Sequence, residues 1–443
     1  SDPRNAYGPY FQRQRVEIYH SYAKSLVERG LAYPCFCTEE ELDKVRAKQE
    51  EDKVLTGYYG EYATCRNLSY EEIEANIKAG KPYVLRLRSQ GSPDKEITFV
   101  DAIKGEIKLP ENIHDIVLLK KDGIPTYHFA HAIDDHLMRT TTVVRGGEWL
   151  ASAPIHYELF HLLGFKMPAY AHTAHLMKFD EETGGKRKLS KRKDPELSLD
   201  YYRKDGYHPY TMKVYLLTLL NSNFEEWHEK FPDKDINEFP FSVEKMNQSG
   251  ALFDKDKLHN ICKNELSKLS EEELYDFLYD WARENEPENV EKWFGDREKM
   301  LQILRLYMGV GAKRRRKDLM YAKQIFELIS YFFDGESAEE MDEFKLDEDM
   351  VSKILKSYLA KYDHNDDNSV WFNKLKEIAD EHGFASDMKA YKANPENFKG
   401  NVSDIAEAVR IAVTGRANTP DLWTIVHIMG EEQMTERIKK HIK

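Results

Sequence analysis

Cysteine is scarce in this chain of 443 residues: there are four, Cys35, Cys37, Cys65 and Cys262. They are too few and too unevenly placed for a disulfide framework. Long apolar runs are missing as well. No stretch approaches the roughly 20 residues that span a bilayer, and no secretory signal opens the chain. No membrane partner is expected, and the expected address is cytoplasmic. Positive charge is in deficit, with a formal net charge of −13. That deficit leaves a nucleic-acid partner open, because binding depends on where positive charge clusters. No internal repeat or low-complexity linker is evident. What is there, 41% hydrophobic and 32% charged residues, suits a globular protein of roughly two to four domains.

Against the overall sign, six of the eight positions from Lys186 to Lys193 are basic. Such a concentration points to a local anion partner. Gly184 and Gly185 precede it, so a mobile loop that can meet a triphosphate is expected. A solvated surface loop or a nuclear-import signal would explain the charge alone. Three neighbouring segments change the balance. Val143-Val-Arg-Gly-Gly-Glu-Trp149 reads as a strand, a glycine turn and a helix. His172-Thr-Ala-His-Leu-Met-Lys178 reads as a short strand leading to the basic stretch. Asp200 to Pro209 leads into an apolar helix, Met212 to Leu220.

Lys188-Leu-Ser-Lys-Arg192 resembles the second signature motif of class I aminoacyl-tRNA synthetases, and the flanking segments resemble bacterial glutamyl-tRNA synthetase. The resemblance spreads over most of the chain in order and spacing. It implies an α/β then all-α fold. A class I nucleotide-binding parallel sheet, incomplete at its N-terminus, would carry an inserted α+β acceptor-binding module and a C-terminal all-helical anticodon-binding region. The expected divisions are 1–34 and 116–180 for the catalytic domain and 35–115 for the insertion. Residues 181–261 would form the signature loop and stem-contact region, and 262–443 two helical bundles. The family's first signature, a His-x-Gly-His turn, is absent, so the chain is expected to be either truncated by about a fifth of the usual length or lacking the first half of its nucleotide fold.

Local signals support this order. A helix after Gln12 puts Val16, Tyr19, Ala23 and Leu26 on one face, with Gly30 as its stop. Thr38-x-x-Glu41 and Ser69-x-x-Glu72 are capping boxes for two helices, the second stopped by Gly80. Tyr83–Arg88 and Glu96–Val100 alternate as strands. Arg86 and Arg88 suit the tRNA acceptor end that this module grips in the resembling family, although paired surface charges explain them too. Ile116 to Tyr127 reads as two strands joined at Asp122-Gly123. Ser152 and Pro154 start a helix that Gly164 ends.

Cys35-Phe-Cys37 followed 28 residues later by Cys65 has the look of three zinc thiolates, the alternative being three reduced thiols. Some glutamyl-tRNA synthetases hold zinc here with a histidine or tyrosine as the fourth ligand. Asn67 stands where that histidine would help, which leaves Tyr62 or Glu61 as candidates. Seven histidines between His128 and His175 raise a second metal question, with Asp134, Asp135 and His136 as conceivable ligands.

The implied reaction joins glutamate to ATP through its α-carboxylate and then passes the aminoacyl group to the terminal adenosine of tRNA(Glu). Positioning and charge neutralisation dominate such a step, so no serine triad or catalytic cysteine is needed. By the resemblance, Lys191 neutralises the phosphates in the transition state, while Lys188, Leu189, Ser190 and Arg192 shape the ATP loop. Glu148 and Trp149 lie beside the ATP and amino-acid sites. Arg145 and Tyr127 match the glutamate pocket, both at expected strand ends. His131 stands there where the family pattern has asparagine. Arg314, Arg315 and Arg316, within the basic run Lys313–Lys317, form either a solvated helix end or a phosphate contact to the anticodon arm. ATP with Mg²⁺ is the expected cofactor, zinc a further possibility, and the chain is expected to act as a monomer. A glutaminyl enzyme is disfavoured by the helical tail, and a tRNA-modifying paralogue by the tail's length. The rival from another class is a catalytically inactive tRNA-binding fragment or paralogue lacking half of the ATP site.

Overall fold

The computed structural model describes residues 6–180, 182–248, 250–333 and 341–443. Residues 1–5 of the first expected segment lie outside them. In chain order the elements begin with α1 (Val16–Glu28), β1 (Ala32–Cys35), α2 (Glu39–Glu51), α3 (Tyr70–Lys78), β2 (Val84–Leu87) and β3 (Glu96–Asp101). β4 (Gly105–Pro110), β5 (Val117–Leu119), α4 (Tyr127–Leu137), β6 (Thr142–Gly146) and α5 (Ala153–Leu163) follow. Next come β7 (Ala169–Thr173), β8 (Leu176–Phe179), β9 (Lys186–Lys188), α6 (Leu199–Asp205), α7 (Pro209–Leu220), α8 (Phe224–Lys230) and β10 (Ala251–Leu252). The remainder is helical. It comprises α9 (Lys255–Leu266), α10 (Glu271–Asn285), α11 (Val290–Phe294), α12 (Arg297–Met308), α13 (Ala322–Ile329) and α14 (Glu348–Lys361). It ends in α15 (Asn368–His382), α16 (Met388–Ala393), α17 (Val402–Thr414), α18 (Leu422–Met429) and α19 (Glu431–Lys439).

Two compact units divide these elements: Ser1–Lys188 with Thr218–Phe253, and Leu189–Leu217 with Asp254–Lys443. The boundaries of these two units fall inside the signature and inside α7. Within the first unit, β4-β3-β7-β6 form a mixed sheet. β3 pairs antiparallel with β4 and parallel with β7, and β7 pairs parallel with β6. The expected order, an α/β part followed by an all-helical part, is what the chain folds into, with two particulars. The sheet is not all parallel, and Glu96–Pro110, assigned from sequence to the insertion, lies in the same sheet as β6. A second sheet, β1-β2-β5, is antiparallel throughout.

The period-2 rule fixes which side chains of β3 face inward. Ile97, Phe99 and Asp101 are buried while Glu96, Thr98 and Val100 are exposed. Phe99 then packs with Ala153 and Tyr170. On the other side of the unit Tyr19, Ala23 and Leu26 of α1 form a core with Phe129 and Ile133 of α4 and Leu159 of α5. Both capping boxes expected at Thr38 and Ser69 form, and Gly30, Gly80 and Gly164 take the left-handed backbone that stops their helices. The second unit buries one continuous apolar cluster from Leu266 to Ile438. Among the described residues no helix is long and apolar enough to cross a membrane.

Candidate active site

Arg145 is the fourth residue of β6 and lies in register with His172 of β7. Its Nε donates to His172 Nε2 at 2.9 Å, Nη1 to His156 Nδ1 at 3.0 Å, and Nη2 to the Trp149 carbonyl at 3.4 Å. The guanidinium sits 4.7 Å over the Tyr170 ring. Tyr127 opens α4 instead of ending a strand, which corrects the expectation. Pro125 has no N–H to extend a ladder, so a single bridge to Leu119 forms and the chain turns into the helix. The Tyr127 ring, 47% exposed, stacks on His131 at 5.7 Å and lies 4.7 Å from Trp149. His131, one helical turn on, has Nδ1 2.6 Å from Asp135 and Nε2 2.8 Å from the Tyr170 hydroxyl. Its ring lies 4.5 Å from that of His156. Tyr127, His131, Arg145 and Trp149 are thus brought together.

His156, His172, Asp101 and Tyr170 complete this cluster, and sequence reasoning missed all four. They lie far from Arg145 in the chain or carry no motif; the register of β3, β7 and β6 unites Asp101, Tyr170 and His172 with it, and α5 brings His156. Burial, reinforced by His131 and Arg145, pushes His156 down to about 2. Burial also holds His128 and His172 below the ordinary imidazole value, for His172 in spite of Asp101. Burial acts to raise Asp101, but its bonds from His172 and from backbone N–H groups outweigh that and hold it low. Among the described residues no histidine cluster gathers its ring nitrogens as metal ligands would, and the residues raised for one have other partners. Asp134 is bound by Arg15 and Tyr19, Asp135 by His131, and the His136 ring stacks on Phe165 at 3.7 Å.

The basic stretch is a strand followed by a turn, where a loop was expected. β9 pairs antiparallel with β8, Met177 opposite Lys188, and Gly184 takes a positive φ at the hairpin tip. Lys188 Nζ lies 3.5 Å from Glu148, whose other carboxylate oxygen is 3.3 Å from His175. In the second unit, Leu189 is buried and Ser190 opens a turn closed by Asp194, whose carboxylate accepts from the Ser190 N–H at 2.8 Å. Lys191 and Arg192 are exposed on that turn.

Cys35, Cys37 and Cys65 converge, with their sulfur atoms within 4.8 Å of one another, and among the described residues they are the only such metal-competent group. In addition to the two expected candidates, a further hydroxyl stands beside them. Tyr62 is engaged with Asp52 at 2.9 Å and Glu61 is exposed, whereas the Tyr58 hydroxyl lies 3.4 Å from Cys35 and 3.3 Å from Cys37. Three thiols and a phenol suit tetrahedral zinc, whose sulfur bonds of about 2.3 Å require closely gathered sulfurs. Bonds from Cys37 and Cys65 hold Cys35 well below the usual thiol range, while bonds to Cys35 and Cys65 push Cys37 up, so the three share their protons as one group.

The expected RNA contacts divide. Arg86 is 8% exposed, donates to the Asp115 carbonyl at 2.9 Å and lies over Tyr58, so it is committed inside the module. Arg88 is half-buried, bound to the Arg66 carbonyl at 2.7 Å and set over Tyr33. Both guanidinium groups thus have partners within the first unit. Arg314 and Arg315 are exposed on the loop after α12, while Arg316 pairs with Asp318 at 2.6 Å. Arg314 and Arg316 line a cavity of about 680 Å³ with Arg305, Pro420 and Thr424.

The sequence profile of tRNA synthetases class I (E and Q), catalytic domain, matches residues 2–260, and that of an anticodon binding domain matches 273–442. The glutamate–tRNA ligase of Acetivibrio thermocellus is 53% identical over 98% of this chain and 79% of its own length. That of Clostridium perfringens strain SM101 is 46% identical over 99% of this chain and 80% of its own. A solved glutamate tRNA ligase from Elizabethkingia meningosepticum, in complex with its amino acid, superposes with a TM-score of 0.73 at 26% identity. That match covers 98% of this chain and 84% of that one.

Proposed function

The chain belongs to the glutamate–tRNA ligases of class I, and from that premise we propose how its own residues share the reaction. The family's activity is the ATP-dependent activation of glutamate and its transfer to tRNA, with ATP and Mg²⁺ as general requirements of the class. The rival reading of an inactive tRNA-binding chain has no observation in its favour.

The observation that carries the assignment is the state of Arg145. It is held on three of its N–H groups and keeps one on each terminal nitrogen, the pair that a carboxylate takes. Because the α-carboxylate must attack the α-phosphate, Arg145 holds the side-chain carboxylate. Tyr127, Trp149 and His131 form the remaining walls. In the first step the α-carboxylate oxygen bonds to the α-phosphorus as pyrophosphate departs with the bonding pair. Lys188 and Lys191 meet the phosphate charge, with Ser190 and Arg192 holding the turn, and Glu148 orients Lys188. tRNA(Glu) is the proposed acceptor, and the Arg314–Arg316 loop a contact for its anticodon arm. Zinc, where bound, would be held by Cys35, Cys37, Cys65 and Tyr58 as a purely structural ion; the chain acts as a monomer in the cytoplasm.

Glutamate-dependent ATP–pyrophosphate exchange and tRNA charging, measured on the same variants, test this division. Lys191→Ala should slow activation about a hundredfold to a thousandfold, a loss of about 2.7–4 kcal/mol, while tRNA affinity stays within about threefold. Arg145→Ala should chiefly raise KM for glutamate. Intact activation in the first variant, or unchanged glutamate kinetics in the second, removes that residue from its role.

A further inference from the structure

Every group that grips Arg145 is neutral. His172 Nε2 takes the Nε hydrogen, His156 Nδ1 takes one from Nη1, and the Trp149 carbonyl takes one from Nη2. Among the described residues no carboxylate lies in ion-pair contact with it. The imidazole tautomers follow, because a guanidinium only donates. The proton of His172 must sit on Nδ1, where Asp101 Oδ2 accepts it at 2.6 Å. Asp101 is itself fixed: Oδ2 also accepts from the His172 N–H at 3.0 Å, and Oδ1 from Ile103 and Lys104, each at 2.9 Å. The proton of His156 must sit on Nε2, which donates to His128 Nδ1 at 2.9 Å.

We propose that Asp101 and His172, backed by His156, are positioning residues that give the pocket its preference for an acidic side chain over the corresponding amide. They hold Arg145 through neutral acceptors, so that a guanidinium edge with uncompensated charge meets the substrate. A carboxylate in direct contact would neutralise that charge before substrate arrives. The interposed imidazole passes on orientation while keeping the anion one ring away. Strand register makes this possible. Arg145 and His172 are Cα partners between β6 and β7, and Asp101 faces inward at the end of β3, opposite Tyr170. The proposal rests on the reading that Arg145 binds the glutamate side chain.

The test uses the full chain. L-Glutamate and L-glutamine are titrated calorimetrically, and charging kinetics are measured in parallel. His172→Leu removes the acceptor, and His172→Gln restores a carbonyl near Nε2. Asp101→Asn offers an amide N–H to Nδ1, which moves the imidazole proton to Nε2 and sets two donors face to face. His172→Leu and Asp101→Asn should raise KM for glutamate about 10–100-fold, with KM for ATP within about twofold and a smaller glutamate-to-glutamine affinity ratio. His172→Gln should recover glutamate KM to within about threefold of the parent. Nitrogen-15 NMR of the unmodified protein should show His172 protonated at Nδ1, a readout that survives even if a variant fails to fold. The proposal is overturned by unchanged glutamate KM in His172→Leu, by equal losses for ATP and glutamate, or by a proton on Nε2. Failure of the underlying reading looks different: the unmodified chain would bind no glutamate, or Arg145→Ala would bind it normally.

Discussion

His156 is fully buried, and its pKa of about 2 against an ordinary 6.5 ties the stability of the pocket to pH. As pH falls below about 6.5 the unfolded chain takes up a proton at this residue, and the folded chain does not until about 2. Across that window the unfolded state holds one proton more, so stability rises with pH by about 1.4 kcal/mol per unit. Because the unfolded histidine is already half protonated at 6.5, going from pH 6.5 to 4.5 should cost about 2 kcal/mol through His156 alone. His128 and His172, also held low, act with the same sign. Asp101, whose folded value is depressed, contributes stability above its unfolded value of 3.8 and loses it only below this window. Urea unfolding of the full chain and of His156→Gln at the two pH values measures the effect. The variant should lose about 2–3 kcal/mol less than the parent on acidification, and equal losses would mean that His156 is not buried neutral.

At the scale of elements, what was legible in the sequence was whatever is encoded locally. Thr38 and Ser69 announce their helices because the cap and its reciprocating glutamate lie three residues apart. Ser270 with Glu273 and Asn401 with Asp404 are built the same way in the second unit. What depended on register was hidden. Nothing near Glu96–Asp101 tells that β3, besides pairing with its neighbour β4, also joins β7, and so Asp101 passed unnoticed. Tyr58 was missed because it sits in an irregular segment, 21 residues after Cys37 and without metal-ligand spacing. Tyr127 was misplaced because a glycine turn normally returns a strand, and the effect of Pro125 won instead. Two outcomes are expected here. Ser270→Ala should lower stability by about 1 kcal/mol in denaturant melts, through the loss of one N-terminal bond on α10. The cysteine knuckle should carry about one zinc per chain by elemental analysis, lost in Cys65→Ser, with the melting temperature falling on chelation. A chelated protein that melts unchanged would leave the three thiols as packing alone.

For the whole molecule, a net charge of −13 would repel a polyanion such as tRNA if charge were smeared evenly. It is not, and at physiological salt exposed charges more than about 8 Å apart are largely screened from one another. The potential that an RNA backbone meets is therefore local, and the runs at Lys186–Lys193 and Lys313–Lys317 outweigh the distant acidic surface. Of the second run, Arg316 is paired with Asp318 while Arg314 is exposed and among the residues lining the cavity of about 680 Å³. Counterions released from phosphates by such groups make affinity fall linearly with the logarithm of salt, by about 0.7–0.9 per contact. Filter binding of tRNA across about 50–200 mM salt should show a slope shallower by about 0.7–0.9 in Arg314→Ala than in the parent chain. Arg86→Lys, which alters a buried packing residue, should leave the slope alone although it weakens the fold. A slope unchanged by loss of Arg314 would place the phosphates elsewhere on the second unit. A slope changed by Arg86 would mean that the segment around it opens to expose what is buried here.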